Sequence, residues 1–208
     1  MRSVKPPQER KQEIMDTAKR LFFENGYTKT KITDIINTIG MSKGIFYYYF
    51  ESKEDIMNAI IAEVINNDIK TAKTIAEDSS LSAHQKVYGI LSAHREKITE
   101  NYYCFIKQFN HLENPEILLK TINLAVSGLL PLLVDAVNQG ICEGVFELEY
   151  PYETLELLLS AHTFQTFFGG QPLKTEQKKA AFIRMLENAL GAGKGSFDYL
   201  HELMKHCQ

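Results

Sequence analysis

The sequence predicts an all-α protein: a three-helix head containing a helix-turn-helix, followed by a larger helical domain. Three observations lead there. Apolar residues Ile14, Ala18, Leu21 and Phe22 recur at i, i+4, i+7 and i+8, and similar spacing continues through most of the chain. Loop signals such as Asn25-Gly26, Asp78-Ser79-Ser80, Asn114-Pro115, Tyr150-Pro151 and Gly169-Gly170 separate segments of helical length. No segment alternates apolar and polar residues long enough for a strand; Val145-Phe146 before Glu-Leu-Glu is too short.

The elements follow in order. Residues 1–8 are basic, carry Pro6-Pro7 and are expected to form a flexible arm. The first helix ends at Asn25-Gly26, with glycine just past the last turn. Thr33 is expected to cap a short helix over 34–39, closed by Gly40, and Ser42 to cap another over 43–50. Ser52, with Asp55 three residues on, suits a capping arrangement for a fourth helix running to about Ala76. Ile56, Ile60, Val64 and Ile69 line one side of it. Further helices are expected at about 81–101, 102–111, 115–140, 152–169 and 175–191, with a short amphipathic tail near 197–206. Pro131 should kink or divide the 115–140 helix. The predicted domains are a head over 1–52 and a body over 53–208.

Composition narrows the function classes. With 44% apolar residues, the 208-residue chain can bury a core without disulfides. No run approaches the roughly 18 apolar residues of a membrane span. The longest candidate, 124–137, is broken by Ser127, Gly128, Pro131 and Asp135. The amino terminus has no apolar middle of a secretory signal, so a cytoplasmic protein with no membrane partner is expected. Cys104, Cys142 and Cys207 are far apart and in no metal-ligand spacing. They read as incidental thiols, with redox sensing as the alternative. His201 and His206 beside Cys207 read as a mobile tail before a metal site. The glycine-rich run 191–196 lacks the spacing of a phosphate loop and follows a helix instead of a strand. No acid–base pair or nucleophile constellation stands out, so neither an enzyme nor a cofactor is expected.

The net charge of -3 is uneven. Residues 1–50 hold nine Lys and Arg against five Asp and Glu, leaving the acidic excess on the rest. A basic head on an acidic body suggests that only the head meets a polyanion.

The segment 31–56 carries the sharpest signal. Two short helices joined through Gly40-Met41-Ser42 make a helix-turn-helix, whose second helix enters the DNA major groove. Phe46 and Phe50, four apart, are expected to face inward, leaving Lys43, Gly44, Ile45, Tyr47 and Tyr48 outward. Ser42 and the first backbone N–H groups suit a phosphate, and Lys43 suits a phosphate or a base edge. Gly44 lets backbone approach the duplex. Ile45 offers apolar contact, for example to a thymine methyl. Tyr47 and Tyr48 can donate hydroxyls to phosphates. Thr28, Thr30, Thr33 and Lys53, at neighbouring helix starts, are candidates to clamp the flanking DNA backbone.

These residues bring a resemblance. Residues from about 10 to 56 resemble the DNA-binding head of the tetracycline-repressor (TetR) family. The likeness runs through Ala18 and Phe22, Gly26-Tyr27-Thr28, Ser42-Lys43-Gly44 and Phe50 to Glu54. It implies DNA contact by Lys43, Gly44, Tyr47, Tyr48 and Tyr49. Ile36 stands where the family usually has a small alanine, and Ile45 where threonine is frequent.

The resemblance also implies a homodimer built on the last two long helices. Leu155, Leu158, Leu159, Phe182, Met185, Leu186 and Ala189 are the candidate interface. An effector pocket is implied between head and dimer helices. Tyr88, His94, Tyr102, Tyr103, Phe105, Phe109, Leu129 and Leu133 are its candidate lining, suiting a small apolar, aromatic or cationic molecule. The expected function is a transcriptional regulator, a repressor released from a near-palindromic double-stranded DNA operator by that effector. The alternative is a DNA-binding protein of the same shape, controlled by a protein partner or organising DNA without a small ligand.

Overall fold

The computed structural model describes residues 6–96, 115–168 and 176–201. Among them are eight helices and no strands: α1 (Pro7–Asn25), α2 (Ile32–Ile39), α3 (Lys43–Tyr49), α4 (Lys53–Glu77), α5 (Ala83–Glu96), α6 (Pro115–Cys142), α7 (Pro151–Phe168) and α8 (Glu176–Ala189). The chain divides into two compact units, 1–64 with 99–121 and 65–98 with 122–208. Helices α4 and α6 each contribute to both.

In the first unit, α1 starts at Pro7, earlier than the sequence suggested, because proline suits a first helical position whose N–H is unpaired anyway. Its buried face, Ile14, Met15, Ala18, Leu21 and Phe22, is the predicted stripe plus Met15. Ile35, Phe46, Phe50, Ile56, Met57 and Ile60 are also buried in this unit. Each large side chain so buried contributes about 1.5–3 kcal/mol.

The start of α2 corrects the sequence reading. Thr33 is not its cap: the helix begins at Ile32, and the Asp34 carboxylate accepts the Lys31 backbone N–H at 2.8 Å. The end is as expected. Gly40 adopts φ 72°, ψ 37°, the left-handed conformation that glycine takes without a Cβ penalty.

In the second unit, Ala72, Val87, Ile90, Leu130, Leu133, Val137, Phe146, Leu155, Ile183, Leu186, Leu190, Phe197 and Leu200 belong to one buried cluster. α6 is not divided at Pro131, whose ring is exposed. The stretch Ile122–Cys142 does have the length and apolarity of a membrane-crossing helix, contrary to the composition argument. Leu130, Leu133, Ala136 and Val137 nevertheless belong to the buried cluster, as in a core helix.

The tail expected at 197–206 is described as far as His201, and its beginning is core: Phe197 and Leu200 are almost fully buried. The run 191–196 leads into it around an acid. Buried Glu187 accepts the Gly195 N–H at 2.6 Å and the Arg184 guanidinium at 3.1 Å. Burial alone would raise the Glu187 carboxyl, but hydrogen bonds from Arg184, Gly195 and Phe197 outweigh it and hold the group below its ordinary range. A turn organised on a carboxylate has the wrong sign for a phosphate. Cys142 is exposed, while Cys104, His206 and Cys207 lie outside the described residues.

Candidate nucleic-acid interface

The recognition helix is built from its cap upward. Ser42 is extended and its hydroxyl accepts the Ile45 N–H at 3.4 Å, a long capping bond that starts α3. A hydroxyl that accepts there still has its own proton to donate. Phe46 is fully buried, and Phe50, where the chain leaves the helix in extended conformation, is nearly so. The two rings fix the helix from beneath.

What remains of α3 faces outward. Ser42, Lys43 and Gly44 are exposed, Ile45 and Tyr47 are each 50% exposed, and Tyr48 is 78% exposed. Tyr49 is half-buried, its ring edge-on to Tyr48 with centroids 5.0 Å apart. Tyr47 stands edge-on to Phe46 at 5.5 Å. A side chain at Gly44 would meet nothing within 4 Å, so packing within the protein does not require glycine there. Such a strip, combining one cation, phenol hydroxyls, an aliphatic surface and bare backbone, can bind phosphates and touch base edges.

The flanking candidates divide. Thr28 and Thr33 are exposed. Thr30 is not available: it is 2% exposed, and its hydroxyl lies 2.8 Å from the Gly26 carbonyl and 3.2 Å from that of Leu21. It holds the α1–α2 turn together from inside. Lys53 is also engaged within the head, where its ammonium donates to the carbonyls of Tyr27 (2.7 Å) and Thr30 (3.1 Å). It lies over the Tyr27 ring, 4.1 Å from the centroid. Burial, with Glu54 adding to it, pushes the Tyr27 phenol up to about 12. Lys29 and Lys31 are exposed cations that the motif reading passed over; the alternation Lys29-Thr30-Lys31 was the signal available.

The body's candidates are more scattered. Of the pocket set, Tyr88 is 38% exposed and edge-on to Tyr199 at 5.6 Å; Leu129 is half-buried; Leu133 is buried in the cluster. The side chain of His94 and all of Tyr102, Tyr103, Phe105 and Phe109 lie outside the described residues. An open groove lies elsewhere, lined by Ile141, Gly144, Phe146, Glu147, Leu148 and Glu149.

Of the interface set, Leu155 and Leu186 are corrected: both turn into the core of their own unit. Leu158, Leu159, Phe182 and Ala189 are half-buried, and Met185 is 43% exposed. Leu157, not singled out before, is 71% exposed. The run Leu157-Leu158-Leu159 held the clue, since three consecutive residues spread too widely around a helix to be buried together.

A short helix pinned by buried rings, behind a glycine turn, with an aromatic and basic outer strip, defines a helix-turn-helix DNA-binding protein. Comparison with known proteins narrows this. Residues 14–60 match the family described as bacterial regulatory proteins, tetR family. The chain is similar to the fatty acid metabolism regulator protein of Bacillus subtilis (strain 168), 25% identical over 133 residues, 64% of this chain and 68% of the relative. It is also similar to the HTH-type transcriptional repressor KstR2 of Mycolicibacterium smegmatis, 21% identical over 198 residues, 91% and 94% of the two chains. The fold matches the crystal structure of the transcriptional regulator FadR from Bacillus subtilis in complex with stearoyl-CoA. Its TM-score is 0.58 and its identity 22%, covering 86% of this chain and 97% of that one. The chain thus carries a tetR-type DNA-binding head over residues 14–60, on a fold shared with solved transcriptional regulators.

Proposed function

We propose that this protein is a homodimeric, cytoplasmic repressor that leaves a near-palindromic operator when a small effector binds its body. The single observation carrying the DNA half is the outward strip Lys43, Ile45, Tyr47 and Tyr48 above buried Phe46 and Phe50. Its own contacts would be Ser42, Lys43, Gly44, Ile45, Tyr47 and Tyr48, with Tyr49, Thr28 and Thr33 at the margins. The functional division falls at residue 52, with reading of DNA before it and dimerisation and effector binding after it. Repression is supported by the relative whose name includes that activity.

Dimerisation is supported from two sides. One seven-residue helix spans too few base pairs to select a site, and two heads about 34–36 Å apart would read successive major grooves. Helix α7 is apolar in both directions, with Leu155 buried and Leu157 exposed. A helix apolar on opposite sides suits burial on both, and Leu157, Leu158 and Met185 are the residues a second subunit would cover. The effector is a small apolar, aromatic or cationic molecule. Long acyl thioesters join the candidates because stearoyl-CoA occupies the similar FadR structure. Release is a population shift: an effector that prefers the DNA-incompetent body lowers affinity by its differential affinity for that state.

The test is selection of a duplex from random sequence at low salt, followed by sedimentation and effector titration on the selected complex. A dimer on a two-fold site, displaced by one compound class, is expected. Failure to select any duplex would sink the repressor reading. A selected site that no compound or acyl-CoA releases would favour control by a protein partner.

A further inference from the structure

We infer that Ile45 reads a 5-methylpyrimidine, thymine or 5-methylcytosine, in the major groove, and that the methyl group itself is what it selects. The inference rests on the DNA-binding reading above and deepens it by naming a feature of the operator.

Ile45 is the one wholly aliphatic side chain on the outward strip of α3, and it is half exposed. It has no donor and no acceptor, so it can neither hold a phosphate nor pair with a base amino, carbonyl or ring nitrogen. What it can do is bury apolar surface. Of the four ordinary bases, only thymine presents a methyl group on the major-groove edge. Any other base edge pressed against Ile45 would lose water and gain neither a hydrogen bond nor a methyl contact. The same side chain therefore rewards thymine and penalises the alternatives.

Its place in the helix supports the same use. Ile45 is the third residue of α3, and the first residues of a recognition helix are the ones that meet base edges. The Ser42 hydroxyl accepts the Ile45 N–H at 3.4 Å and the next side chain, Phe46, is fully buried, so the backbone is held on both sides. Isoleucine in a helix is nearly confined to one χ1 rotamer and loses little freedom on contact. Its reach is short, which requires close approach of the backbone. The preceding Gly44 has no side chain to prevent that, and a Cβ there would meet nothing of the protein within 4 Å. Tyr48 and Tyr49, three and four residues on, share the face of Ile45, their rings edge-on with centroids 5.0 Å apart. Ile45 beside the exposed Tyr48 ring offers an apolar seat for one methyl group.

Base analogues test this without altering the protein. Each thymine of the selected duplex is replaced in turn by deoxyuridine, which lacks only the 5-methyl. Wild-type affinity is expected to fall about three- to tenfold at one thymine, repeated in each half of a two-fold site, the size of one buried methyl group. With cytosine at that position binding should be weaker still, and 5-methylcytosine should recover about three- to tenfold of the loss. In Ile45→Ala, the deoxyuridine penalty and the methylcytosine recovery should both shrink below about twofold. The salt slope of Ile45→Ala should match that of wild type, because no phosphate contact is removed. A deoxyuridine scan flat along the whole duplex, a penalty undiminished in Ile45→Ala, or a lower salt slope in that variant would each overturn the assignment. Failure of the wild type to select any duplex would instead overturn the DNA-binding reading beneath it.

Discussion

Gly44→Ala should make the protein more stable and a poorer DNA binder, and the opposition of the two effects is the informative part. Gly44 is the second residue of α3, is exposed, and is not in the left-handed region. A Cβ built there meets nothing within 4 Å, so the methyl costs no packing energy. Glycine in a helix is less favourable than alanine by roughly 0.5–1 kcal/mol. That gain would raise Tm by about 1–4 °C for a chain of this size. On DNA the same methyl stands between backbone and duplex, pushing contacts out by about 1 Å. One or two hydrogen bonds so lost cost about 1–3 kcal/mol, or roughly 5- to 150-fold in Kd. Thermal unfolding and fluorescence anisotropy on one preparation, at one salt concentration, measure both quantities. Unchanged affinity would show that backbone does not closely approach DNA at Gly44. A lower Tm would show that the helix meets something there.

Thr30→Val keeps the shape of a buried side chain and deletes its hydroxyl, so unfolding free energy should fall by about 1–2 kcal/mol; affinity per folded molecule should be unchanged, and a changed salt slope would return Thr30 to the interface. Lys43→Ala should lower the slope of log K against log salt by about 0.9 while sedimentation still reports the same oligomer; an unchanged slope would mean Lys43 meets no phosphate. His84 gives the pH prediction. Its ring is packed against Phe146 and Phe197, each at 4.9 Å, and its Nδ1 lies 3.1 Å from the Tyr199 hydroxyl. Burial pulls its pKa below 6.5, with Glu143 opposing but not cancelling the shift. The folded state thus favours the neutral ring. This contribution to stability is complete above pH 6.5 and declines as pH falls through that value towards the lower folded pKa. Urea midpoints from pH 8 to 5 should fall more steeply in wild type than in His84→Gln; parallel curves would refute the assignment.

The head was legible because its information is local. Gly40 ends one helix, Ser42 starts the next, and the four-residue spacing of Phe46 and Phe50 assigns inside and outside without knowledge of the rest of the chain. The errors there were also local in origin. Thr33 and Asp34 are both good capping types, and the choice turned on one backbone N–H, that of Lys31, reaching the Asp34 carboxylate. The internal bonds of Thr30 and Lys53 escaped the sequence reading because a hydroxyl and an ammonium near a helix start look alike whether they bond DNA or the protein's own carbonyls. Sequence distance hid the answer, since Lys53 lies 23 residues from Thr30 and 26 from Tyr27. The body was less legible for a related reason. Periodicity finds the apolar side of a helix but cannot say whether its own core or a second subunit covers it. In α7, Leu155 and Leu157 take opposite fates two residues apart, because about 200° of helical turn puts them on opposite sides and both directions are apolar. The glycine-rich turn at 191–196 shows both sides of this. Its spacing and its place after a helix already spoke against a phosphate site, but the group that organises it, buried Glu187 four residues before the run, shows only in the folded chain, and its negative charge would repel a phosphate.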